Sequence, residues 1–146
     1  MINVPFPEPQ FNIQTKEGKR YIFDGIRKAW LLLTEEEWVR QNIVAFFIGT
    51  LKYPKEAITL EKEIKVNGLK KRFDILVYNR EQTPWMLVEC KAGHITINEA
   101  VLQQALRYNL AVPVSFIVIS NGAQTLVWEK MESRLQMADA FPEWPG

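Results

Sequence analysis

At 146 residues, 47% of them hydrophobic and 24% charged, the chain has the composition of one ordinary folded domain, which excludes disorder, collagen-like repeats and low complexity. Eighteen basic against 17 acidic side chains leave a net charge of +1, without the basic excess common among nucleic-acid-binding domains. A single Cys and a single His exclude an internal disulfide, a zinc finger and a zinc deaminase, and argue against a Ser-His-Asp triad.

The amino terminus lacks a basic region followed by an apolar stretch. The apolar runs at 44–48 and 116–119 fall far short of the roughly 20 residues of a membrane span. A reducing cytoplasm is therefore the expected setting, with no membrane partner. Residues 1–20, rich in Pro, Gln and Asn, read as irregular and belong to an amino-terminal arm of 1–27; short strands or a cover for the core are expected at 21–24 and 29–33. The core is expected over 28–130. Thr34 with Glu37 forms a capping box, three Glu fill the first turn, and Val39, Ile43, Phe46, Phe47 and Ile48 follow, which predicts a helix over about 35–50. Residues 57–66 roughly alternate, Asn67-Gly68 is a hairpin signal, and further strands are predicted near 70–78 and 85–91. A second capping box, Thr96 with Glu99, opens a helix of about 97–111 that Pro113 ends. Strands at 114–120 and 125–128 follow, joined through Asn121-Gly122, and 131–146 reads as a tail packed on the surface. The order is helix, three-strand meander, helix, two strands: an α/β fold, a mixed sheet flanked by helices.

Asp74, Glu89 and Lys91 lie on the second and third strands of this meander. Pairing Tyr78 with Trp85 across the 79–84 loop sets a register that puts Asp74 directly opposite Glu89 on one face. Facing carboxylates destabilise a sheet by up to about 1 kcal/mol unless a cation compensates, and a divalent ion such as Mg²⁺ suits two acids with room for water. Lys91 shares the face of Glu89. Cys90 points the other way as a small core residue, while its backbone carbonyl can reach a metal at the strand edge.

These residues carry a resemblance. Asp74 followed by Glu89-Cys90-Lys91 resembles the PD-(D/E)xK nuclease signature, with Phe73-Asp74 in place of Pro-Asp. Gln104-Ala-Leu-Arg-Tyr108 matches the Gln-x-x-x-Tyr element of the branch that includes recombination exonucleases and type I restriction motor subunits. The runs at 34–41, 69–75, 87–92 and 108–109 resemble the amino-terminal nuclease domain of the type I restriction enzyme R protein, over about residues 28–130. The resemblance implies a restriction-endonuclease-like αβββαβ core and metal-dependent DNA phosphodiester hydrolysis, that is, an endonuclease. Asp74, Glu89 and the Cys90 carbonyl would hold Mg²⁺, with Mn²⁺ as a substitute, to polarise the phosphate and lower the pKa of a bound water. Lys91 would position or deprotonate that water, and Gln104 and Tyr108 would position the site or the DNA backbone. Their i, i+4 spacing turns both toward the sheet.

Other readings stand beside these. The resemblance implies Glu37 as a third acid from the first helix, but capping alone explains it, and Glu36 is an equally available acid. Glu61 and Glu63, alternating with Lys62 and Lys65, read as a solvated edge, and His94 as a loop residue. Lys62, Lys65, Lys70, Lys71 and Arg72 against Glu63 make a local basic excess before Asp74, from which Lys70, Lys71 and Arg72 are candidate DNA-phosphate contacts; Arg40 and Arg107 are further ones. The bland alternative is a polar hairpin without ligand. No base-reading helix and no Gly-x-x-x-x-Gly-Lys-[Ser/Thr] loop is present, so sequence-specific recognition is not supported and ATP-driven translocation is expected to be either absent or supplied by a separate motor or specificity subunit. The reading from another class is a non-catalytic DNA-binding or assembly module that retains the fold.

Overall fold

Thr34 starts the first helix: its hydroxyl oxygen accepts the Glu37 N–H at 3.0 Å, and α1 runs over Glu35–Gly49 with Glu35, Glu36 and Glu37 in its first turn. Only this arm of the capping box forms. The Thr34 N–H bonds Leu32 O at 3.1 Å, because the Glu37 carboxylate is drawn to Arg27, Arg40 and Gln41 instead. The computed structural model describes residues 2, 4, 5, 11–132 and 134–146, Tyr108 by its backbone alone.

After one 3-10 turn, β4 (Ile58–Val66), β5 (Leu69–Tyr78) and β6 (Pro84–Cys90) form the antiparallel meander. Asn67 and Gly68, both at positive φ (52° and 80°), supply the two-residue turn that pairs Val66 with Leu69. Between β5 and β6 the expected register holds at Ile75↔Val88, Leu76↔Leu87 and Val77↔Met86. At the loop end it slips: a bulge between Val77 and Tyr78 pairs Tyr78 with Pro84, not Trp85. The second helix, α2 (Glu99–Asn109), starts later than expected, since Asn98 and not Thr96 caps it, accepting the Val101 N–H at 3.0 Å. It is the crossover that lets β7 (Phe116–Ser120) lie parallel to β6. β8 (Thr125–Lys130) returns antiparallel through a four-residue loop in which the Asn121 side chain accepts the N–H groups of Ala123 and Gln124 at 3.0 and 2.7 Å. Part of the expected tail, β9 (Leu135–Met137), adds a sixth strand, giving the order β4-β5-β6-β7-β8-β9. This mixed sheet with its two helices is a restriction-endonuclease-like α/β fold.

Each helix covers its own part of the sheet. Val39, Ile43, Phe46 and Phe47 of α1 pack with Ile75, Val77, Met86 and Val88. Leu106 of α2 packs with Leu76, Leu87 and Ile117, and Val101 and Ala105 with Ile119. The carboxy-terminal residues close the α1 side: Phe141 meets Phe46 and Phe47 at ring distances of 5.6 Å, and Tyr53 OH donates to Pro142 O at 2.6 Å. Part of the segment read as irregular, Ile13–Lys16 and 19–20, is strand, and the short strands expected at 21–24 and 29–33 are present. β1 (Ile13–Lys16), β2 (Lys19–Asp24) and β3 (Ala29–Leu32) form a separate three-stranded antiparallel sheet. Glu17 and Gly18 at φ 52° and 76° make its first turn, a signal as good as Asn67-Gly68. The buried Asp24 carboxylate accepts the N–H groups of Ile26 (2.8 Å) and Arg27 (3.1 Å) in the second, and Arg27 reaches Glu37 at 2.9 Å to tie this sheet to α1. No helix among the described residues is long and apolar enough to cross a membrane.

Phe47, fully buried between α1, the sheet and the carboxy-terminal segment, is the packing test. Phe47→Ala is expected to lower the unfolding free energy by about 3–5 kcal/mol in urea titrations, and Trp144→Ala, at the partly exposed edge of the same cluster, by clearly less.

Candidate active site

The ladder opens where the chemistry sits. Leu60↔Ile75 and Lys62↔Phe73 pair on either side of Glu61 and Asp74, and Glu61 takes a left-handed backbone at φ 54°. On the other side the pairing with β6 begins only at Ile75, and the Asp74 carboxylate itself accepts the Cys90 N–H at 2.8 Å, in place of a ladder carbonyl. Strict alternation fails as a result. Phe73 and Leu76 pack in one cluster while Ile75 packs in the α1 cluster, and the Asp74 side chain is turned toward α1.

What meets it there is Arg40. This guanidinium, 5% exposed, donates to Asp74 (2.7 Å), Glu61 (2.6 Å), Glu37 and, at 3.4 Å, Glu36. Burial works against its charge, but Asp74, Glu37 and Glu61 outweigh that and hold its pKa above the ordinary arginine value. Arg40, a candidate DNA contact on sequence grounds, is thus an internal ion-pair hub: its spacing from Glu36 and Glu37 puts it on their helical face. Glu61, expected on a solvated edge, is one of its partners. Glu63 does sit on the exposed hairpin, 3.7 Å from Arg72 and 4.0 Å from Lys70.

A cleft of about 640 Å³ opens beside this hub, lined by Glu36, Arg72, Glu89, Lys91, Ile95 and Gln104 among others. Burial, and next the negative charge of Asp74, push the Glu89 carboxyl above the usual carboxylate range; Lys91 and a hydrogen bond from Asn109 work against the shift. Glu36 is raised by the same two causes, burial and Asp74. Asp74 thus repels both Glu36 and Glu89. Glu37 is not the cleft acid: it is buried against Arg27, Arg40 and Gln41. The Cys90 thiol is buried in the α1 cluster, its pKa raised first by desolvation. Gln104 is exposed on the cleft wall instead of facing the sheet, while Ala105 takes the inward position. Tyr108 lies on α2, its side chain outside the described part. Asn109 went unnoticed in the sequence as a supporter of Glu89; nothing but its place after Tyr108 marked it. His94, in the loop after Lys91, is exposed and paired with Glu35. Lys70 and Arg72 are exposed at the hairpin, and Lys71 is half-buried in it.

Among the described residues no three His, Cys, Asp or Glu side chains converge as a preformed metal cage. The donor chemistry still fits a hard cation. The groups are oxygen donors, and Glu36 and Glu89, each repelled by Asp74, border a water-accessible cleft, the setting in which Mg²⁺ keeps most of its water ligands.

Residues 35–143 match the family described as Type I restriction enzyme R protein N terminus. No curated protein matches the chain.

The raised Glu89 makes a stability prediction. A carboxylate raised by folding favours the folded state below its ordinary pKa and loses that advantage as pH rises through the raised value. Glu89→Gln is therefore expected to raise Tm near pH 7.5 by roughly 2–4 °C, the equivalent of about 1 kcal/mol, and to leave it unchanged near pH 4 in thermal melts followed by circular dichroism. Arg40→Ala, which leaves buried acids unpaired, should cost about 3–5 kcal/mol in urea titrations at neutral pH.

Proposed function

The chain belongs to the family of type I restriction enzyme R protein N-terminal domains, a restriction-enzyme-related nuclease family, and on that footing we propose that it hydrolyses DNA phosphodiester bonds with the help of a divalent metal. The observation that carries the proposal is the convergence of Glu36 and Glu89, each repelled by the neighbouring Asp74, on a cleft that also holds Lys91 and Gln104. A purely structural sheet has no use for two acids held where a third carboxylate pushes both above the usual carboxylate range.

In this reading Asp74, Glu89 and the Cys90 carbonyl hold Mg²⁺, with Mn²⁺ as a substitute, and Glu36 is the third acid. When bound, the ion supplies Lewis-acid polarisation of the phosphate and lowers the pKa of water. The chain's own residues do the rest. Lys91, two residues beyond Glu89 in the cleft, orients the attacking water and offsets negative charge building on the phosphate. Asn109 of α2, beside Glu89, favours its charged form. Gln104 and Tyr108 position the DNA backbone from α2. Arg72 on the cleft wall, with Lys70 and Lys71 beside it on the hairpin, grips phosphates without reading bases. The partners are DNA and a separate motor or specificity subunit.

A second reading, the non-catalytic DNA-binding or assembly module, is favoured by one contact: Arg40 and the Cys90 N–H already engage one oxygen each of Asp74, so that the site contains its own cation. Plasmid nicking separates the two. Cleavage is expected with Mg²⁺ or Mn²⁺ and not in EDTA, and Asp74→Ala and Lys91→Ala are each expected to lower the initial rate at least about 100-fold with the fold intact. Cleavage that survives both substitutions overturns the site; DNA binding unaffected by EDTA and without cleavage selects the module.

A further inference from the structure

The three-stranded sheet β1-β2-β3 has a face that the core does not use. Its register pairs Gln14 with Tyr21, Lys16 with Lys19, Tyr21 with Leu32 and Phe23 with Trp30, and side-chain alternation puts all of them on one side. The other side carries Ile22 and Asp24, both fully buried. On the outer side Trp30 is 42% exposed and Leu32 48%. Trp30 stands edge-on to Phe23, centroids 5.4 Å apart, which props the indole in place. A shallow concavity of about 420 Å³ is lined by Gln14, Lys16, Glu17, Tyr21 and Trp30.

Two features have no structural use. Lys16 and Lys19 stand directly opposite each other, an arrangement that weakens a hairpin, and neither makes an ion pair among the described residues. Two aromatic rings border a slot that no side chain of the described residues fills. Rings beside unpaired cations suit a ligand that combines exposed π-faces with a regular row of negative charge, which is a single-stranded polynucleotide; a duplex hides its base faces.

We propose that the outer face of β1-β2-β3 is a stacking platform for single-stranded DNA. A base lies against Trp30 and Tyr21, the Gln14 amide and the Glu17 carboxylate meet base-edge donors and acceptors, and Lys16 and Lys19 take the flanking phosphates. The platform lies outside the matched residues 35–143 and away from the Asp74 cleft's own lining; the choice of DNA over RNA rests on the nuclease reading, whereas single-strand binding does not.

Fluorescence anisotropy of a labelled oligothymidine of about 15 nucleotides, in EDTA so that nothing is cut, tests it. The full chain is expected to bind this strand more tightly than a duplex of equal length or an oligouridine. Trp30→Ala should weaken binding roughly 5- to 100-fold and Trp30→Phe much less. Lys16→Ala and Lys19→Ala, at exposed positions that leave folding intact, should each reduce the salt slope by about 0.7. Asp74→Ala should bind as the unaltered chain does, so that loss of cleavage and loss of this site are told apart. Absence of single-strand binding, equal binding by the lysine variants, loss with Arg72→Ala in place of Trp30→Ala, or tighter binding of the duplex or of the RNA strand each overturn the proposal.

Discussion

The arrangement of like charges around Asp74 governs this molecule. Asp74, Glu36, Glu37, Glu61 and Glu89 are brought together by the first turn of α1 and three strands, and Arg40 is the buried cation that makes the gathering tolerable. Its guanidinium offers several donors in one plane and stays charged despite burial, which no lysine at this position would match. Around it the backbone yields: the ladder parts at Glu61 and Asp74, and Glu61 adopts a left-handed conformation. Strain of this kind persists only where the surroundings over-determine it, and here the surroundings are the ion pairs themselves.

The amino-terminal sheet belongs to the same economy of charge. Arg27, folded back on Asp24 by a side-chain-capped turn, reaches Glu37 and so relieves one acid that Arg40 would otherwise serve alone. With Glu37 held by Arg27, Arg40 and Gln41, the neighbouring Glu36 is the acid left facing the cleft. Helix α2 supports the site from the other side, with Asn109 on Glu89 and Gln104 at the rim. The two helices therefore divide the work: α1 gathers charge, and α2 walls the cleft and brings Asn109 beside Glu89.

Much of this was legible in advance because it depends on local rules. Thr34 as a helix start, Asn67-Gly68 as a tight turn and the register of Ile75–Val77 against Met86–Val88 follow from capping, positive φ and strand pairing counted back from a loop. The expected pairing of Asp74 with Glu89 does not form, because the ladder opens at Asp74 and its carboxylate turns to Arg40. The misreadings arose where a local signal had a competitor. Thr96 lost to Asn98, which sits directly at the helix start. Lys16-Glu17-Gly18-Lys19 is a hairpin turn overlooked amid a Pro- and Asn-rich segment. Arg40 and Glu61 were assigned to solvent by alternation and charge, although each had its partner across the fold.

By itself the sequence determined the kinds of element, their order and the acid-x-Lys spacing, because propensity, capping and periodicity act over a few residues. Only the tertiary structure decided which charges meet. Whether Glu36 or Glu37 faces the cleft, whether Arg40 points out or in, and whether Gln104 is buried or exposed depend on how two helices settle on a sheet whose ladder opens at Asp74, and Coulomb energy between groups far apart in the chain has no local signature.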